Sequence, residues 1–314
     1  MIGFGEVGIR FSSDLHDGGA SAVAAFDVAA GARDRAASCA HVALASTAAA
    51  AAGTAEVVIL AVTAGSVLDA IEGLGEGLVH RPFVLDVNSV SPTTKRAAAE
   101  RIEALHGRYV EAAVMTSVSL HGLRSPMLLG GPHVEAFRGL MAPFHMRLTP
   151  FSERLGAASS VKMCRSIMIK GLEALATESM LSARHYGVET DVLASLADTL
   201  PDQDWPSLVR YMISRALLHG GRRSEEMREV AETVRQAGLE PVLSTAIAER
   251  QAWSGERGRA LDSSLVSAAE LGPLLDAIVG RSLSAPGSLT AGRCSDAHRA
   301  SVPRKPDRTK GTDI

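Results

Sequence analysis

Three glycines, Gly3, Gly5 and Gly8, fall within the opening stretch MIGFGEVG. The spacing G-x-G-x-x-G constrains a fold strongly only in context. It must lie between a buried strand and a helix, with an acidic side chain about 20 positions further on. Asp27 meets the last condition: it stands nineteen residues past Gly8, at the end of the apolar run 22–26 (AVAAF). Only Met1 and Ile2 precede the turn. The first strand is therefore expected to be a stub, or else translation starts several residues upstream. In the latter case an apolar extension should strengthen both the fold and the turn.

Further short apolar runs follow at 57–62 (VVILAV), 83–87 (FVLDV), 109–114 (YVEAAV) and 127–129 (MLL). Helix-like stretches at 47–52, 66–74 and 92–106 separate them. Strands that are apolar along their length and alternate with helices predict a parallel sheet covered on both faces. After Pro150 the pattern changes. Helices are expected at 157–186, 188–200, 206–219, 224–237, 241–252 and 264–279, with Gly238 as a left-handed helix end. From Ser282 the chain is rich in Ser, Gly, Pro and basic residues, the composition of a disordered tail. The expected fold class is thus an α/β Rossmann-type N-terminal domain (1–152), an all-α C-terminal domain (153–281) and a tail (282–314).

Composition narrows the partners. With 46% hydrophobic residues the chain can build a large core, and its net charge of −3 offers no field for nucleic acid. Aromatics at 4% argue against base stacking as a binding mode. Cys39, Cys164 and Cys294 are far apart and odd in number, so they suit neither a disulfide framework nor a metal set. A reducing, cytoplasmic setting is expected, with no membrane partner, since no apolar run is long enough to span a bilayer.

The glycine turn, Gly3, Phe4, Gly5, Glu6, Val7 and Gly8, reads as the cradle of a dinucleotide pyrophosphate. Asp27 would accept the ribose hydroxyl hydrogens and repel a 2′-phosphate, which favours NAD over NADP. Arg33 and Arg35 nearby soften that preference. Val62 and Thr63 would line the adenosine–ribose side at the next strand end, and Asn88 the nicotinamide side, with Ser89 toward the substrate. The alternative is purely structural: glycines that merely turn the chain, Asp27 capping a loop, and Asn88 and Ser89 capping the helix ahead of Pro92.

The segment 156–175, GAASSVKMCRSIMIKGLEAL, sets Lys162 in an otherwise apolar run directly after the cofactor region. Together with GFGEVG this resembles the β-hydroxyacid dehydrogenase and 6-phosphogluconate dehydrogenase superfamily, in a branch with a divergent C-terminal helical domain. The resemblance implies an NAD(P)-binding first domain, a helical second domain, a homodimer with the site at its seam, and a lysine general acid/base matched by Lys162. The plain alternative for Lys162 is a snorkelling surface lysine.

Several positions depart from the family pattern. Ser166 stands where the family has an asparagine holding the substrate hydroxyl, Arg165 where 6-phosphogluconate dehydrogenases have a histidine, and Lys170 where they have a phosphate-binding tyrosine. Lys162, Ser166 and Lys170 share one helix face by their spacing, and the second cation points to an anionic substrate. In 110–131 the family's Asp-Ala-Pro-Val-Ser-Gly-Gly-like run is replaced by residues including Glu111, Met115, Thr116 and Ser117. The last two are left to hold the substrate. In 219–241, Glu225 and Glu226 occupy the positions of the family's Lys-Asp pair. Arg222 and Arg223 before them are candidate anion ligands, or simply a solvated helix start. The expected function is NAD(P)-dependent hydride transfer to or from a small anionic hydroxy or oxo acid. An imine reductase and a non-catalytic nucleotide-binding protein are the alternatives.

Overall fold

The computed structural model describes residues 1–268 and 270–280. Its central strand is a single residue. Ile2 bridges Phe26 on one side and Leu60 on the other, both in the parallel sense. The Gly3 N–H donates to the Phe26 carbonyl at 2.9 Å and the Ala61 N–H to the Ile2 carbonyl at 2.8 Å. The Met1 ammonium donates to the Ala24 carbonyl at 2.6 Å, and burial lowers its pKa to about 5.

On one flank of Ile2, β1 (Ala24–Ala25) pairs with β2 (Ala43–Leu44). On the other lie β3 (Val57–Leu60), β4 (Phe83–Asp86), β5 (Arg108–Val114), β6 (Met127–Gly130) and β7 (Leu148–Ser152), side by side in that order. Every pairing is parallel except β5 with β6. Helices α1 (Glu6–Asp17), α2 (Ala30–Ser38), α3 (Ala48–Ala52), α4 (Val67–Glu72), α5 (Pro92–Ala104), α6 (Val118–His121) and α7 (Val134–Met141) accompany these strands. Val84 and Leu85 are neighbours on β4 and both have no exposed surface. Both faces of the sheet are therefore covered, which is why its strands read as unbroken apolar runs. Strand order reverses at Ile2, so the glycine turn leaves the sheet at its topological switch point, where open α/β sheets bind ligands.

Two strands were not legible in the sequence. β2 is two residues long, and β7 carries Pro150 within an edge pairing, a place where a missing N–H is tolerated.

The helical region holds α8 (Ala157–Tyr186), α9 (Glu189–Thr199), α10 (Trp205–Gln236), α11 (Val242–Arg259), α12 (Ser263–Ala268) and α13 (Leu271–Val279). α8 ends at Gly187 with φ +70°, and α10 starts under Asp204, whose carboxylate accepts the Ser207 N–H at 3.2 Å. The segments expected at 206–219 and 224–237 are one continuous helix, α10. α11 likewise runs to Arg259 rather than stopping at 252, while 264–279 is divided between α12 and α13.

Glycines outside the expected segments, Gly220, Gly255 and Gly258, are crossing points within these helices. A Cβ on Gly220 would lie 2.2 Å from the Gln251 carbonyl oxygen, one on Gly255 2.5 Å from the Gly221 nitrogen, and one on Gly258 2.2 Å from the Leu217 oxygen. Each mid-helix glycine costs about 1 kcal/mol in propensity, and here backbone-to-backbone packing of α10 on α11 offsets it. Among the described residues no helix is long and apolar enough to cross a membrane. The tail expected at 282–314, with Cys294, lies outside the described residues.

Gly220→Ala is expected to destabilise the fold by about 3 kcal/mol, since neither backbone can yield without separating the helices. The measurement is a urea midpoint that falls at constant m. An unchanged midpoint would refute the close crossing.

Candidate active site

The site begins with the turn itself. Gly3 has φ +92°, and a Cβ there would meet the Ala61 oxygen at 2.2 Å. One on Gly8 would meet the Gly3 oxygen at 2.4 Å, whereas Gly5 faces open space. Two glycines are thus required by the tightness of the turn, and the third leaves the approach to the α1 N-terminus clear. That N-terminus has no side-chain cap, so its amides remain available to an anion. Phe4 is wholly buried in the core, and Glu6 is exposed. Asp27 takes the Phe4 N–H on Oδ2 at 2.7 Å and the Ala29 N–H on Oδ1 at 2.8 Å. Two lone-pair positions stay free for a diol. Arg33 folds over the following turn, donating to the Val28 carbonyl at 2.6 Å. These residues fit a dinucleotide: a helix N-terminus reachable by pyrophosphate, and a fixed carboxylate at the neighbouring strand end.

At the ends of β3 and β4 the polar side chains bond to one another. Asn88 accepts the Val62 N–H at 2.8 Å and donates through Nδ2 to Asp86 Oδ1 at 2.7 Å. The other Asp86 oxygen receives the Tyr109 hydroxyl at 2.7 Å and lies 3.1 Å from Lys95 Nζ. Lys95, Asp86 and Tyr109 have no exposed surface. Burial, then the Asp86 charge, pushes the Tyr109 hydroxyl well above its ordinary pKa. Asn88 therefore ties two strand ends together. Thr63 is exposed and shares a hydrogen bond with Ser66 at 3.0 Å, and Ser89 is half-buried on the next loop.

The helical region meets this edge through α8 and α10. Glu111, buried on β5, accepts the Gly156 N–H at 2.7 Å and the Ser159 N–H at 2.6 Å, capping α8 from inside the sheet. Glu229 of α10 reaches back to the start of α5, accepting the Ser91 N–H at 2.8 Å and the Thr94 hydroxyl at 3.0 Å. α10 also packs against the 64–66 turn after β3.

Between these clamps stands Lys162, half-buried on the second turn of α8. Burial lowers its pKa to about 7; Glu226 opposes that shift, and Lys170, Lys95 and Arg222 add to it. Lys170 Nζ is 2.6 Å from one Glu226 oxygen, and Arg222 is 2.7 Å from the other. Burial works against the Glu226 charge, but Lys170, Arg222 and Lys162 outweigh it and hold the carboxyl at about 2. Ser166 is buried and accepts from Lys170 at 3.3 Å.

The fold thus gathers the turn, Asp27, Val62, Thr63 and Asn88 along the carboxyl edge of the strands. It sets Lys162, Ser166 and Lys170 on one face of α8 beside α10. Arg223 points elsewhere: it pairs with Glu173 inside the helical bundle, where Gln251 also donates to Glu173 at 3.1 Å. Thr116 is exposed and Ser117 bonds Ser119 at 2.7 Å, on the loop that leaves β5 at the same edge. A cleft of about 420 Å³ lined by Glu56, His80, Arg81 and Arg108 opens at the opposite edge of the sheet. It has no part in this site.

Sequence reasoning missed Asp86, Lys95, Glu229 and His219. PTTKR reads as a solvated helix start, so nothing local marks Lys95 as buried. Burial and then Arg215 and Arg222 lower the His219 pKa, while the charge of Glu6 opposes. His219 is therefore near the glycine turn, a proximity that no spacing could reveal.

A family model described as the NAD binding domain of 6-phosphogluconate dehydrogenase matches residues 1–134, and a domain of unknown function, DUF1932, matches 183–254. A conserved hypothetical protein from Sinorhizobium meliloti 1021 is 32% identical, with 89% of this chain and 95% of that one covered at a TM-score of 0.66. A conserved protein whose structure was reported as similar to 3-hydroxyacid dehydrogenases is 30% identical, with 82% and 96% covered at 0.61. The 3-hydroxyisobutyrate dehydrogenase of Mycobacterium tuberculosis, solved with L-serine, shares the fold at 20% identity, with 84% and 96% covered at 0.64.

The lowered pKa of Lys162 has a stability consequence. Between about 7 and the ordinary 10.5 the unfolded chain binds the proton and the folded one does not, so stability rises with pH across that window. Lys162→Met is expected to raise the melting temperature at pH 7, with the gain shrinking toward pH 10. A variant less stable than the parent at pH 7 would contradict the burial of this ammonium.

Proposed function

The chain belongs to the 6-phosphogluconate dehydrogenase-like and 3-hydroxyacid dehydrogenase-like superfamily, and on that premise we propose that it is an NAD(P)-dependent oxidoreductase interconverting a small anionic hydroxy acid and its oxo form. One observation carries the reading. Lys162, with a pKa near 7, stands among Lys95, Lys170, Arg222 and Glu226 where the helical region meets the carboxyl edge of the sheet. A general acid/base works best when its pKa lies near the operating pH. The bound nicotinamide supplies the two-electron hydride exchange. Lys162 takes the hydroxyl proton in oxidation and returns it in reduction.

The remaining roles follow from position. The α1 N-terminus and Gly5 receive the pyrophosphate, Asp27 the adenine ribose, and Val62 and Thr63 line that side. Asn88 and Ser89 border the reacting end. Lys170 and Arg222 share the one Glu226 carboxylate beside Lys162, while Lys95 is balanced by Asp86, and the remaining surplus of one cation favours an anionic substrate. Thr116 and Ser117 are proposed substrate contacts. Arg223 supports the substrate region through Glu173. Residues 1–152 form the cofactor domain and 153–281 the substrate domain, in a homodimer that covers exposed Met168, Leu172 and Leu175 of α8.

Asp27 favours NAD, because its carboxylate accepts ribose hydroxyls and repels a 2′-phosphate. NADH is expected to raise the melting temperature more than NADPH, and Asp27→Ala to narrow the difference. Stabilisation by neither cofactor would overturn the dehydrogenase reading. Lys162→Ala should lower kcat by about 10²–10⁴-fold while NADH affinity is unchanged. Undiminished turnover would remove Lys162 as the proton carrier. Reduction of cyclic imines in place of oxo acids would move the chain to the imine reductase alternative.

A further inference from the structure

The cleft of about 420 Å³ at the edge of the sheet opposite Lys162 is lined by two arginines, Arg81 and Arg108, together with His80 and Glu56. Three chain segments meet there, and their backbones tie them together. The Phe83 N–H donates to the Glu56 carbonyl and the Arg108 N–H to the Pro82 carbonyl, each at 2.9 Å. The Arg108 side chain is pinned as well. Its guanidinium carbon lies 3.5 Å from the centre of the Phe83 ring, and its Nε donates to the Arg81 carbonyl at 2.9 Å. A guanidinium fixed through Nε and one face keeps its two outer nitrogens for another partner.

Arg81 is held at φ +55°, a left-handed angle that glycine adopts freely and an arginine only under strain. Strain of this kind tends to persist where the side chain is needed, at ligand clamps among other places. Among the described residues none of Arg81, Arg108, His80 and Glu56 takes part in an ion pair. Two guanidinium groups therefore face one carboxylate, and the positive surplus is left without a protein partner.

We infer that this cleft is a second binding site, separate from the one around Lys162, for a phosphate monoester on a hydroxylated body of the sugar class. Two guanidinium forks and an imidazole offer more donors than the two oxygens of a carboxylate take up, and they suit the three oxygens of a phosphate. Glu56 repels the phosphate and can only accept hydrogen bonds, so it selects a body that brings hydroxyl hydrogens to it. The site stands independently of the dehydrogenase reading, because no residue of the glycine turn, α8 or α10 lines it.

The test is calorimetric titration of the full chain with glucose 6-phosphate, ribose 5-phosphate, inorganic phosphate and gluconate at constant ionic strength. Both esters are expected to bind, inorganic phosphate about tenfold more weakly for want of the hydroxyl contacts, and gluconate not at all. Arg108→Met and Arg81→Gly should each weaken the esters about tenfold or more, the loss of a charge-assisted fork. In Arg81→Gly the unliganded melting temperature should hardly move, since relief of the strained angle offsets the freedom glycine adds to the unfolded chain. A merely structural arginine would not show that split. Glu56→Gln should tighten inorganic phosphate and narrow its gap to the esters.

Should Arg108→Met loosen the packing on Phe83, Arg81→Gly carries the test alone. Ester binding that survives Arg81→Gly, or that is lost in Arg222→Met instead, would place the phosphate elsewhere and overturn the inference. Absence of ester binding would overturn it too, as would gluconate or inorganic phosphate binding as tightly as glucose 6-phosphate. None of these outcomes bears on NADH binding or on Lys162.

Discussion

The Glu111 carboxylate, buried on β5 with no exposed surface, accepts the amides of Gly156 and Ser159 and so ends the sheet region and starts α8 at one point. A carboxylate at a helix N-terminus satisfies otherwise orphaned donors and complements the helix dipole. Here it does so from the sheet region, across to the first turn of the helical region. Gly130 beside it leaves the space: a Cβ there would meet Glu111 Oε2 at 2.6 Å. Everything chemical on α8, Lys162, Ser166 and Lys170, takes its height and rotation from that anchor, because a 30-residue helix held at its first turn is a rigid ruler.

A second constraint sets the other wall. α10 crosses α11 backbone to backbone at Gly220, Gly255 and Gly258, which fixes the face it turns toward α8. That face carries Arg222, Glu226 and Glu229. Glu229 clamps the start of α5, and Glu226 balances Lys170 and Arg222. The result is a polar seam in which, among the described residues, Lys162 makes no ion pair, while both Glu226 oxygens are taken by Lys170 and Arg222. Burying an ammonium this way costs stability, a cost commonly found where a side chain is kept for chemistry.

Much of the fold was legible because periodicity is local. The runs at 57–62, 83–87 and 109–114 contain β3, β4 and most of β5, and the α8 bounds 157–186 are those of the structure. The glycine turn with Asp27 could be read because its spacing reflects backbone sterics. The failures have equally physical causes. HGG reads as a helix break because a glycine's cost is local, whereas the packing that offsets it comes from residues 251–258. PTTKR reads as surface because Asp86 and Tyr109, which bury Lys95, are distant in the chain. RRSEEM offered Arg222 and Arg223 as equals, yet adjacent helical residues point about 100° apart. One reaches Glu226 and the other enters the bundle with Glu173.

The sequence by itself determined the class of the fold, the tight glycine turn and the place of Lys162 on α8, since each rests on spacing along one segment. Tertiary structure alone decided the charge state and reach of the site. It set Glu226 between Lys170 and Arg222, turned Ser166 from a back-bonded hydroxyl into an acceptor from Lys170, and brought Lys95 and His219 to the same edge. Proton affinity depends on burial and on every nearby charge, and those neighbours come from α5, α8 and α10, segments that no local pattern connects.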